Sequence, residues 1–101
     1  MKTTFNFILI NGSQIIGQVE KLELETGFVL VEKPRLISID INPNNPQESM
    51  IKLIPVAISP GTKDEIHLNM NTVTAISDVS IELHKHYQQV TSGIDLTTRL
   101  K

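Results

Sequence analysis

Asn11-Gly12 lies between two apolar runs, Phe5 to Ile10 with one Asn inside it and Ile15-Ile16, and a second glycine, Gly17, follows two residues before Val19. An Asn-Gly pair in that setting is the strongest short hairpin signal, because both residues tolerate the positive φ that a type I′ turn requires. Residues 4–10 then form a first strand, with Phe5, Phe7 and Leu9 on one face and Asn6, Ile8 and Ile10 on the other. The second strand spans 14–25, and Gly17 inside it marks a bend, a bulge or a close approach of backbone.

The same logic continues along the chain. Ile, Val and Thr fill 30 of 101 positions, and their restricted χ1 favours extended backbone. Thr26-Gly27 is the next turn, and residues 28–33 form a third strand that Pro34 interrupts, since proline cannot donate to a ladder. Extended structure resumes over 36–41. The Asn- and Pro-rich stretch 42–49 is a surface loop, residues 50–59 return as a strand whose Pro55 argues for an edge or a kink, and 60–64 is a second polar loop. Short strands over 65–69 and 72–77 complete the sheet. The period then changes: Val79, Leu83, Tyr87 and Val90 fall at helical spacing, Asp78 or Ser80 can cap the start and Gly93 the end. This predicts one amphipathic helix over 80–91, within 79–92, covering a mouth of the sheet, and a mixed tail over 93–101 that forms an edge strand or frays.

A chain of this length is one domain, residues 1–101. Nine basic against eleven acidic residues give a net charge of −2, so no domain-wide basic field draws it to phosphate backbones or anionic lipid. There is no cysteine, hence no disulfide framework, thiol nucleophile or thiolate metal site, which fits a reducing, cytoplasmic setting. No apolar run approaches the roughly 20 residues needed to span a bilayer, so no membrane partner is expected.

Two segments together carry a family resemblance. Gly12, Gly17 and Val19 follow a strand as in the first signature of the Sm and Sm-like family, and Ile66, Leu68, Asn71, Val73 and Ile76 fit its closing signature in register. The chain resembles in particular the divergent Sm-like proteins of the marine cyanophage type. The resemblance implies a mainly β fold, a strongly bent five- to six-stranded open barrel of Sm-like, SH3-like kind; the one C-terminal α-helix read from the spacing, where the family has an N-terminal one, and the two polar loops go beyond its usual pattern. It implies a homo-oligomeric ring made by pairing edge strands, possible carriage of single-stranded RNA at the ring's pore, and no cofactor. A phage-encoded protein working inside a bacterial host would fit it. The family's RNA-contacting columns fall on Glu23, Glu25 and Gly27 before the third strand and on Asn69, Met70 and Asn71 in the closing turn.

Those columns depart from the family's pattern in their chemistry. Base stacking needs a π-face or a guanidinium, which Glu25 does not offer. Glu20, Glu23 and Glu25 repel phosphate, and around a ring they make a negative collar, while Asn69, Asn71 and Thr72 keep groups able to bond base edges. Two other readings stand beside RNA binding: a phage structural or adaptor ring without RNA, and a monomeric SH3-like protein-interaction module.

Signals for catalysis are thin. Glu82, His84 and His86 alternate, a spacing that converges on a metal from a strand but splays by about 200° on a helix. His67 has no evident partner, Asp64 and Glu65 read as loop charges, and Ser13, Ser49 and Ser92 lack a nucleophile motif. Gly12 and Gly17 lack the strand-to-helix context of a phosphate loop. The expectation is a protein that is not an enzyme and holds no metal.

Overall fold

A computed structural model describes residues 2–48, 50–56 and 63–92. The fold is mainly β: the described residues form six antiparallel strands in one sheet and a single α-helix after them. The strands are β1 (Thr3–Leu9), β2 (Gln14–Val19), β3 (Phe28–Asp40), β4 (Met50–Pro55), β5 (Glu65–Asn69) and β6 (Val73–Ser77), followed by α1 (Ile81–Thr91). Their order is β4-β3-β2-β1-β6, with β5 also paired to β3. The sheet is therefore bent but not closed into a barrel. Among the described residues, β5 pairs only with β3 and β6 only with β1, which leaves both with an open edge.

The first hairpin forms, with different turn chemistry from the expected type I′. Only Gly12 is left-handed, at φ 90°, while Asn11 keeps negative φ. Gly12 N–H donates to the Leu9 carbonyl at 2.9 Å and Leu9 N–H to the Ser13 carbonyl at 2.8 Å. The Asn11 side chain accepts from Ser13 N–H at 2.9 Å. This is a tight turn closed by a glycine bulge, which needs positive φ at one residue instead of two.

The second strand stops at Val19, not at residue 25, and Leu24–Thr26 is a 3-10 turn. Val19 is paired with Thr3, the first residue of β1, so that ladder has no rung for the residues after it. Further on the Thr26 hydroxyl donates to the Phe28 carbonyl at 2.8 Å and accepts from Phe28 N–H at 3.3 Å, which fixes the entry to β3.

Pro34 does not break the third strand. β3 runs unbroken from Phe28 to Asp40, and Lys33, at φ 53°, makes a bulge beside the proline. Gln18 pairs with Glu32 and Ile16 with Arg35, so Gly17 faces the two residues Lys33 and Pro34. The missing proline donor falls where the ladder is already interrupted. At this bulge β3 changes neighbour along one edge: Phe28 to Glu32 pair with β5, and Arg35 to Asp40 pair with β4. Lys33 N–H is taken up by the Asp64 carbonyl at 2.7 Å.

The core lies on one face of the bent sheet, where Phe7, Ile15, Val19, Val29, Val31 and Leu68 cluster. Gly17 belongs to it as a contact point, because a Cβ there would sit 2.2 Å from Val31 Cγ1. Ile16, fully buried, is on the other face with Arg35.

The helix begins as expected, with the Ser80 hydroxyl accepting from Leu83 N–H at 3.2 Å. It does not cover a mouth of the sheet. It rests against the face opposite the core, where His84 Nε2 lies 3.4 Å from Thr4 Oγ1 and the buried Tyr87 hydroxyl donates to the Lys33 carbonyl at 2.8 Å. Below the helix Arg35 makes two contacts of 3.0 Å to the Asp64 carboxylate and donates to the Pro34 carbonyl at 2.8 Å. The stretch 42–49 contains a short 3-10 turn, Pro46–Glu48. The expected strand over 57–59, most of the 60–64 loop, Ser49, Gly93 and the 93–101 tail lie outside the described residues.

Candidate nucleic-acid interface

The two loops that hold the family columns are far apart in sequence and adjacent in space. Gly27, left-handed at φ 82°, offers its carbonyl to Met70 N–H at 2.8 Å. On the next rung Phe28 pairs with Asn69. The turn Met70–Thr72 is set by its own side chains: Asn69 Oδ1 accepts from Asn71 N–H at 2.9 Å, and the Thr72 hydroxyl donates to the Asn69 carbonyl at 2.7 Å. Ile10 N–H reaches the Thr72 carbonyl at 2.7 Å, tying the first hairpin to the same corner.

Gly27, Asn69, Met70 and Asn71 are thus brought together, with Glu23 and Glu25 exposed at the flank. Their roles separate on burial. Met70 packs against the core, Asn71 is exposed, and Asn69 Oδ1 is engaged by the turn. Glu23 is 3.4 Å from Lys21 in an exposed pair, so its charge at the corner is only weakly offset.

The sequence reading missed Phe28. The residue is 51% exposed, and it stands on the outer face of β3 with Leu30, whose cross-strand partner is the exposed His67. The signal was available in the alternation: Val29 and Val31 point to the core, so Phe28 and Leu30 point away from it. A cleft of about 270 Å³ lies beside this surface, between Phe28, Leu30, Glu20 and Glu23. An exposed aromatic ring, an imidazole and amide groups on neighbouring rungs can stack on and hydrogen-bond to a planar base.

The other candidates disperse. His84 sits over Thr4 in a polar cleft of about 490 Å³ shared with Gln18, Asp78 and Gln88, whereas Glu82 and His86 line a different groove beside Ile51. Among the described residues no three His, Asp or Glu side chains converge on a point that could hold a metal. Lys2 is held above its usual pKa, first by its hydrogen bond to Glu32 and then by that carboxylate's charge. Tyr87 is held above the usual tyrosine value, first by burial, with Asp64 and Glu32 adding to it and Arg35 opposing. No described helix is long and apolar enough to cross a membrane. No protein-family model matches the chain, and a search of the curated proteins finds no match.

Proposed function

We propose that this chain is an Sm-like protein that assembles as a homo-oligomeric ring, β5 of one copy pairing with β6 of the next, and that it offers the Phe28–Asn69 surface to single-stranded RNA. The observation that carries the reading is the 2.8 Å bond from Met70 N–H to the Gly27 carbonyl, which joins the two loops at the corner between the open-edged strands. β6 supports self-pairing: Thr74, Ala75, Ile76 and Ser77 are exposed, and the strand has no proline, lysine or other charge of the kind that blocks edge association. Phe28 supplies the stacking face that Glu25 does not. With Glu20, Glu23 and Glu25 around the corner, affinity rests on stacking and amide bonds rather than on phosphate neutralisation, so its salt dependence is shallow.

Light scattering on the purified protein tests the ring; a monomer at high concentration overturns it and returns the SH3-like interaction module. Titration of labelled oligo-uridine and oligo-adenine at two salt concentrations tests the RNA. Binding that Phe28→Ala weakens by about tenfold, the effect of one stacked base, is the expected result. A second reading, a phage structural or adaptor ring without RNA, is favoured by those same carboxylates. A ring that takes up neither oligonucleotide even at low salt overturns the RNA role and leaves that reading.

A further inference from the structure

We propose that the Phe28 surface selects guanine among the bases, and that Glu20 is the residue that reads it. The inference rests on the RNA reading above and deepens it by naming the base. The cleft of about 270 Å³ beside Phe28 and Leu30 is walled by Glu20, Lys21 and Glu23. A base stacked on the exposed Phe28 ring turns its edge into this cleft, and unpaired bases of single-stranded RNA are read on that edge. Glu20 follows directly on β2, and among the described residues it makes no hydrogen bond or ion pair, which leaves both of its oxygens to accept. Lys21 is held only by an exposed contact of 3.4 Å to Glu23, weak enough to be exchanged for another partner.

Donors and acceptors decide which base fits. An ionised carboxylate only accepts hydrogen bonds, and an ammonium only donates them. The cleft therefore asks for a ligand edge with adjacent donors for Glu20 and an acceptor for its sequence neighbour Lys21. Guanine alone of the four bases has that order: N1–H and the N2 amino group donate to the carboxylate side by side, and O6 accepts from the ammonium. Adenine and cytosine each bring one exocyclic amino group. Uracil brings a single N3–H between two carbonyl oxygens, and those oxygens are repelled by a carboxylate. The order of preference is guanine, then adenine and cytosine, then uracil. Carboxylates that repel a phosphate backbone thereby gain a partner in the base itself, through charge-assisted hydrogen bonds about twice as strong as neutral ones.

Labelled hexauridine, and the same strand with one central guanine or inosine, are titrated into the purified protein at low salt. The guanine strand should bind about tenfold tighter than hexauridine, the scale of one bidentate base contact. Inosine lacks the N2 amino group and should lose most of that gain, because one carboxylate oxygen is left without a donor. Glu20→Gln should bring the guanine and inosine strands within about twofold of each other, whereas Glu82→Gln, on α1, should keep the parent's ratio. The inosine comparison uses the unaltered protein and decides the matter if the variant does not fold. Guanine, inosine and uridine strands of equal affinity, all weakened by Phe28→Ala, overturn guanine selection and leave the RNA reading standing. A guanine preference that survives Glu20→Gln overturns the role of Glu20. Failure of every strand to bind overturns both readings together.

Discussion

Gly17 and Val31 touch where no side chain fits between them: a Cβ on Gly17 would lie 2.2 Å from Val31 Cγ1, with the Glu32 carbonyl at 3.4 Å and the Pro34 Cα at 3.5 Å. Gly17→Val should therefore cost about 3 kcal/mol of unfolding free energy, at the upper end of ordinary overpacking, because Val31 is fully buried and its stiff β-branched side chain has no room to swing aside. Gly12→Ala should cost only about 1 kcal/mol, since its space is open and the penalty is the positive φ alone. Urea denaturation of both variants checks the contrast. Equal losses would show that Gly17 is not a contact point.

Lys33 holds φ 53° with a Cβ, a conformation that costs an L-residue about 1–2 kcal/mol. Lys33→Gly should leave the protein as stable as the parent or up to about 1 kcal/mol more stable, whereas Lys33→Val should lose stability. Thermal melts of the two variants read this directly, and a destabilised glycine variant would contradict the bulge.

Arg35 is buried and its partner Asp64 is 41% exposed at the side chain, so solvent already screens part of the pair. Asp64→Ala should cost about 1–2 kcal/mol, less than breaking a fully buried pair, by leaving the guanidinium only the Pro34 carbonyl. Replacing both, Arg35→Met with Asp64→Ala, should recover most of that loss, as a double-mutant cycle in urea would show.

Tyr87 is the single tyrosine of the chain, and its folded pKa lies above the unfolded value near 10, burial being the main cause. The unfolded chain gives up this proton first as pH rises. The contribution is therefore complete below about pH 10 and is lost above it, as the unfolded phenolate forms. Stability measured across the alkaline range should fall more steeply in the parent than in Tyr87→Phe, with phenolate absorbance reporting the same group. Parallel profiles would refute the shift.

Much of this fold is legible in short-range pattern. The Ser80 cap, the spacing of Leu83 and Tyr87, and the alternation of Val29 and Val31 each reflect local geometry with one solution. The misreadings arise where a distant strand or polar group overrides that pattern. Pro34 reads as a break until the Asp64 carbonyl is there to take the Lys33 N–H. Leu22 and Leu24 read as more of β2 until β1 proves to begin at Thr3, opposite Val19, which leaves them no rung to join. At the candidate interface, the resemblance names Glu23, Glu25, Gly27, Asn69, Met70 and Asn71, but the bond between Gly27 and Met70 depends on β3 and β5 lying side by side. Phe28 escaped because it was read as the start of a strand rather than as a position with an outward face.

The bulge in β3 also orders events in time. Bending the strand leaves the Lys33 carbonyl for the Tyr87 hydroxyl, 54 residues further on, and that acceptor is in place only after β2, β3 and the Asp64 segment have met. Helix docking is then expected to follow the rate-limiting step of folding. Loss of the hydroxyl in Tyr87→Phe should steepen escape from the native state and leave the refolding rate almost untouched, a signature that stopped-flow measurements in urea separate.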